Sequence, residues 1–224
     1  MAASDVYKRQ PQQRLHTDPV VHAYAITARR CGFHREHLVA FFSSMRADLT
    51  HREYSPSELQ DYIYGSAEAI GLLCLQIFLA EENVSPADRA AMERGARALG
   101  SAFQKINFLR DLREDSSTLG RTYFQQAPSG RIDEATKSAL IAEIRRELAT
   151  AALTIDLLPA SARVGVSAAA DIFAELTNRL AATPATALAT TRVSVPNHTK
   201  AWLAARAVRR LSLIHISEPT RRTP

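Results

Sequence analysis

A chain of 224 residues with 46% hydrophobic and 23% charged residues has the composition of one globular domain, or at most two small ones. Eight glycines and ten prolines exclude a collagen-like or loop-dominated chain. No run approaches the ~20 apolar residues of a membrane helix, and the N-terminus lacks the apolar core of a signal peptide. Cys31 and Cys74 are too few for a disulfide framework or a zinc cluster, and read as buried thiols in a reducing compartment.

The two ends stand apart from the rest. Ser4-Asp5-Val6-Tyr7-Lys8-Arg9-Gln10 is the direct translation of a transposase adaptor used to fragment DNA for sequencing, and residues 211–219 look like the same adaptor read on the opposite strand. Residues 1–10 and 211–224 are therefore expected to be adaptor-derived tails that pack onto nothing. Each tail carries one net positive charge, so residues 11–210 keep +3 of the formal +5. That excess is a weak argument for nucleic acid, and suits an anionic small substrate or a membrane surface equally.

Between the tails the pattern is helical, without strand alternation or hairpin turn signals. Residues 19–30 form a short helix candidate. Residues 34–49 set Leu38, Phe41, Phe42, Met45 and Leu49 on one stripe. Ser55-Pro56-Ser57-Glu58 unites an N-cap, a first-turn proline and a capping-box glutamate, and predicts a long apolar helix to about Ala80. Ser85-Pro86-Ala87-Asp88 starts the next helix, predicted to reach about Asp115. Residues 118–130 read as a loop. A helix over 133–158 stops at Pro159, another over 160–182 ends near Pro184, and a basic amphipathic helix covers 196–210. Short connections predict antiparallel neighbours in one all-α bundle.

The helix over residues 100–115 carries the chemistry. At about 100° per residue, Gln104, Asn107, Asp111 and Asp115 fall within roughly 80° of one another. Phe103, Ile106, Leu109 and Leu112 take much of the remaining circumference. A narrow polar stripe on an apolar helix lines a cavity or faces another polar element. Asp111 and Asp115, one turn apart, would converge on a hard cation such as Mg²⁺, with Arg110 and Arg113 beside them for diphosphate oxygens. On residues 62–74 nearly every side chain looks buried. Tyr62 and Ser66 share a face there, and Gly65, Ser66, Ala67, Ala69 and Gly71 are small.

Three stretches then occur in order: Tyr62-Ile63-Tyr64-Gly65-Ser66-Ala67-Glu68, the run from Gln104 to Asp115, and Leu119-Gly120-Arg121-Thr122-Tyr123-Phe124. They closely resemble the squalene/phytoene synthase family, its bacterial phytoene synthases above all. The likeness covers residues 20–210, including Thr191-Arg192-Val193-Ser194-Val195-Pro196. The resemblance implies an all-α isoprenoid synthase bundle, lacking its first helices, over residues 11–210. It implies condensation of two prenyl diphosphates, head to head, through a cyclopropyl diphosphate, with Mg²⁺ as cofactor. Asp111 and Asp115 match metal ligands; Ser66, Gln104 and Asn107 match substrate-binding positions. Tyr62, Arg110, Arg121 and Tyr123 match catalytic positions. The partner so implied is a prenyl diphosphate and not a nucleic acid. The place so implied is the cytoplasm, with peripheral membrane contact as an option.

The family's first aspartate-rich motif is expected upstream of Tyr24, where only Asp18 stands. That motif reads as truncated, so the chain by itself is expected to lack synthase activity. Three readings stay open: phytoene from geranylgeranyl diphosphate, squalene or dehydrosqualene from farnesyl diphosphate, and a non-catalytic helical assembly factor of the same fold. Elsewhere, His34-Arg35-Glu36-His37 lacks the His-Glu-x-x-His zinc spacing and reads as a solvated helix start. Glu68 either points out of the bundle or lines the cavity. Trp202 with Lys200, Arg206, Arg209 and Arg210 forms either an ordinary terminal helix or a surface that rests on anionic lipid.

Overall fold

Asp18 opens the first helix, α1 (Pro19–Cys31). Its carboxylate accepts the backbone N–H of Val20 at 2.8 Å and of Val21 at 3.1 Å, and Pro19 sits where no donor is needed. Asp18 is thus a helix cap. Gly32 closes α1 with φ +64°, a conformation other residues rarely adopt. The structure, a computed structural model, describes residues 17–51, 53–112 and 132–217, and no side chain in 211–217.

α2 (Arg35–Thr50) buries His37, Leu38 and Ser44. Leu49, expected on the core stripe, is 77% exposed, and His37, expected in solvent, is 7% exposed. The stripe holds at Leu38 and fails at Leu49, while two polar residues on the inner face found partners. Ser44 Oγ donates to the Tyr62 carbonyl at 3.2 Å, and His37 shares a hydrogen bond with Tyr64 Oη at 3.0 Å. α3 (Pro56–Ile63) starts with the expected capping box: Ser55 Oγ accepts Glu58 N–H, and Glu58 accepts Ser55 N–H at 2.8 Å.

The long apolar helix is not uniform. α3 passes into a π-helical segment, Tyr64–Glu68, and only then into α4 (Ala69–Phe78). A π turn inserts extra backbone and rotates the helix beyond it. The glycines on this stretch let backbones meet. A Cβ on Gly71 would lie 2.6 Å from the Ala96 carbonyl oxygen, and one on Gly100 2.6 Å from the Ala67 carbonyl oxygen.

α5 (Pro86–Arg110) is the central helix, capped by Ser85. It packs against α6 (Glu134–Ile155), the π-helical segment, α4 and α7 (Ala160–Ala182). Ile106 and Leu109 meet Ile144 on α6 and Leu180 on α7 in the main core. A short α8 (Ala185–Leu188) brings Leu188 and Val195 into the same core. α9 (Asn197–Ser217) lies on α7. Its helical backbone runs past residue 210 into the C-terminal stretch expected to stand outside the fold. Extending an existing helix adds one hydrogen bond per residue without a new nucleation step. The regular elements of the described residues are all helices, as the sequence led one to expect. Among these residues no helix is long and apolar enough to cross a membrane.

Candidate functional site

A cavity of about 560 Å³ lies between the π-helical segment, α4, α5, α6 and α7. Small residues are prominent on its wall: Ser66, Gly71, Gly100, Ala151 and Gly165 line it. Phe103 also lines it and stacks on Phe173 of α7, ring centroids 3.8 Å apart. Gly165 differs from the other glycines on this wall, Gly71, Gly95 and Gly100. A Cβ there would meet nothing within 4 Å, so close packing does not require glycine at this position. Ser66 Oγ is buried and has no hydrogen-bond partner among the described residues.

Cys74 also lines this cavity. Neither cysteine is the fully buried thiol expected: Cys31 is half-buried and Cys74 exposed, and both are free. The exposure of Cys74 is toward the cavity, whose apolar walls desolvate the thiol and push its pKa up.

Along α5, Phe103 is the last residue on the cavity wall, and the helix turns polar beyond it. Gln104 and Asn107 come next, both half-buried, and Asn107 Oδ1 has no hydrogen-bond partner among the described residues. α5 ends at Arg110, five residues short of the predicted end, and Asp111 takes the cap position with φ −102° and ψ 10°. Asp111 is held from two sides. Arg110 Nε donates to Oδ1 at 3.0 Å and its terminal nitrogen to Oδ2 at 2.5 Å, while Arg192 reaches Oδ1 at 3.1 Å. The carbonyls at a helix C-terminus carry partial negative charge, which adds to the attraction for cations here. Arg192 was not expected as a site residue. Its only signal was its place in the stretch 191–196, which shares the family likeness as a block. Asp115, Arg121, Tyr123, Arg113 and the loop over 118–130 lie outside the described residues.

Tyr62 and Ser66 do not share one face. Ser66 is on the cavity wall, while Tyr62 is buried in a cluster with Tyr54, Ile63 and Phe108. The π turn between them breaks the one-turn relation that an α-helix would give. Tyr62 donates its hydroxyl hydrogen to Asp48 Oδ1 at 3.0 Å and stacks on Phe108, the neighbour of Asn107 in sequence, at 6.1 Å. Asp48 carries no sequence signal, because it comes from α2, fourteen residues away. Glu68 is neither fully solvated nor a lone cavity charge: it pairs with Arg97 at 2.7 Å.

A second buried polar cluster escaped the sequence altogether. Lys105 is 4% exposed and donates to Glu143 at 2.7 Å and Glu147 at 2.5 Å, and Ser101 also donates to Glu147 at 2.8 Å. Burial pushes the Glu147 carboxyl pKa up, opposed by the hydrogen bond from Lys105. Nothing in the sequence marks Lys105, and only the packing of α6 supplies its two carboxylates.

The likeness seen in the sequence has counterparts among known proteins. A family description, "Squalene/phytoene synthase", matches residues 2–199. That match takes in most of the N-terminal stretch expected to be a tail. A phytoene synthase 3, chloroplastic, of Zea mays is 43% identical over 86 residues, which is 37% of this chain and 19% of the maize protein. The chain therefore spans about a fifth of that relative's length. Two solved structures share the fold. A dehydrosqualene synthase in complex with ligand aligns with TM-score 0.75 and 18% identity, over 94% of this chain and 77% of its own. The squalene synthase HpnC from Alicyclobacillus acidocaldarius aligns with TM-score 0.58 and 17% identity, over 93% and 72%. With the family match over most of its length, the chain belongs to the squalene/phytoene synthase family.

Proposed function

We propose that this chain is the core of a head-to-head prenyltransferase that joins two geranylgeranyl diphosphates to phytoene through a cyclopropyl diphosphate. The observation that carries the reading is the succession of residues along α5. An apolar, small-residue cavity reaches Phe103, and oxygen donors and guanidiniums succeed it within about 12 Å of helix. A prenyl chain would occupy the first part and its diphosphate the second.

The donors fit Mg²⁺. Gln104, Asn107 and Asp111 offer hard oxygen ligands, and Asn107 Oδ1 is buried without a hydrogen-bond partner among the described residues. These residues, with Asp115 from the same motif, would hold the ion. Mg²⁺, when bound, neutralises the leaving diphosphate and so promotes its ionisation. Arg110 and Arg192, now on Asp111, would turn to diphosphate oxygens, with Arg121 and Tyr123 joining from the third motif. Gly71, Gly100 and Ala151 provide an apolar wall that keeps water from an allylic cation. Tyr62, fixed by Asp48, and Ser66 would flank the reacting carbons.

The maize phytoene synthase likeness favours the twenty-carbon substrate. The names of the two solved structures keep farnesyl diphosphate as the second reading. The test has two parts. The 224-residue chain should bind geranylgeranyl thiodiphosphate only with Mg²⁺ present. The gene product extended upstream should convert geranylgeranyl diphosphate to phytoene. Squalene-type product from farnesyl diphosphate alone would select the second reading. Absence of Mg²⁺-dependent binding in a folded protein would overturn both in favour of an assembly factor.

A further inference from the structure

Away from that cavity, α2 begins with a residue whose usual role is missing. His34 holds the N-cap position of α2 but makes no side-chain capping bond. Serine, threonine, aspartate or asparagine would serve the cap better. What His34 does instead is stack on His37, ring centroids 5.5 Å apart and planes 22° apart. Its Nδ1 lies 3.9 Å from Glu36 Oε1. One donor atom from each of His34, Glu36 and His37 lies within 4.8 Å of the others.

We propose that His34, Glu36 and His37 form a site for a divalent transition metal such as Zn²⁺, separate from the Mg²⁺ site at Asp111. Two imidazoles and one carboxylate are the donor set of borderline metals, while Mg²⁺ prefers oxygen alone. His37 is the anchor. It is buried, and one ring nitrogen is engaged with Tyr64 Oη at 3.0 Å, which leaves the other for an ion. In the metal-bound form Nδ1–H donates to the tyrosine hydroxyl, the outer hydrogen bond that orients most metal-bound histidines. His34 and Glu36 are exposed, with side chains 62% and 72% accessible, so they can close on an ion without moving the core. Glu93 of α5 lines the same cavity of about 470 Å³ and adds a second carboxylate. The arginines that share this cavity do not all oppose a cation, since Arg97 is committed to Glu68 at 2.7 Å and lies over the Tyr64 ring.

The ion would tie the start of α2 to Tyr64. Tyr64 opens the π-helical segment that also carries Ser66, so the site braces the backbone of the cavity wall from outside. The site does not depend on the proposed prenyl chemistry, and its test needs no prenyl substrate.

The experiment is isothermal titration of the full 224-residue chain with zinc chloride in excess Mg²⁺, which fills oxygen-only sites. One zinc per chain is expected, with a rise in melting temperature. The double variant His34→Ala/Glu36→Gln changes only exposed side chains and should lose most zinc affinity while its zinc-free melting temperature stays put. Tyr64→Phe keeps the ring and removes the outer hydrogen bond, and should weaken zinc about tenfold. Unchanged zinc affinity in the double variant would overturn the site. Loss in the double variant with no effect in Tyr64→Phe would overturn the link to the π-helical segment.

Discussion

Asp111 accepts hydrogen bonds from Arg110 and forms an ion pair with Arg192, so one carboxylate joins the end of α5 to the stretch before α9. Losing it should disturb both the metal and the diphosphate. Asp111→Ala is expected to weaken Mg²⁺-dependent binding of geranylgeranyl thiodiphosphate by about 100-fold, and Arg192→Ala by about tenfold, as hydrogen bonds to charged groups are worth about 1.5–3 kcal/mol. Titration of both variants checks this, and equal, negligible losses would separate Asp111 from the site. Gly165 gives a sharper residue-scale prediction, resting on the proposed prenyl chain. Gly165→Leu fills open cavity space, and removing a helical glycine stabilises by up to about 1 kcal/mol. Binding of the twenty-carbon chain should fall at least about tenfold with the fifteen-carbon chain little affected, and melting temperature should not drop. Parallel losses for both chains would place the prenyl tail elsewhere.

At the scale of elements, the capping box and the glycine contacts hold the π-helical segment between α3 and α5. Ser55→Ala should cost about 1 kcal/mol at neutral pH, read by denaturant unfolding. The partner in that box, Glu58, has its pKa lowered by the hydrogen bonds from Ser55. A depressed acid pKa means stability present above the unfolded value and lost as pH falls through the folded one. The gap between Ser55→Ala and the parent should therefore narrow in acid, and a gap independent of pH would deny the box. Gly100→Ala tests the other side. Its new methyl would meet the Ala67 carbonyl oxygen at 2.6 Å and the Ala67 carbonyl carbon at 2.9 Å, backbone that cannot swing away. A loss of about 1–3 kcal/mol is expected from such overpacking, and a stabilised variant would show that the helices separate there at little cost. The capping box was legible because it is local. The π turn was not, because no spacing in residues 62–74 marks where an extra residue enters.

For the whole molecule, ligand binding should show as linkage. Geranylgeranyl thiodiphosphate with Mg²⁺, at 100 times its dissociation constant, should stabilise the fold by about 2.7 kcal/mol. Thermal unfolding with and without Mg²⁺ checks it, and equal shifts in both would argue against a metal-held diphosphate. α9 adds a surface prediction. Trp202 is 59% exposed, with the Arg206 guanidinium 5.0 Å from its ring centre. If α9 rests on lipid, vesicles with anionic headgroups should pull the protein down in sedimentation and neutral ones should not, with Trp202→Ala reducing the effect. Equal sedimentation with both vesicle types would remove the charge argument.

The sequence by itself determined the helices, because each is written in short-range chemistry. Ser55 and Ser85 cap where the sequence set them, Asp18 and Asp133 cap two further helices, and Pro159 and Pro184 mark the breaks on either side of α7. It also carried the family, through short motifs each contiguous in sequence. Tertiary structure decided which polar residues go inside. His37, Lys105 and Asp48 find their partners on Tyr64, Glu143 with Glu147, and Tyr62, contributed by other elements. It decided likewise that Arg192 would reach Asp111, eighty-one residues away. A helical wheel ranks a residue by its own polarity, yet burial of a polar group turns on whether a distant segment delivers the matching donor or acceptor. That pairing exists only once the helices have packed.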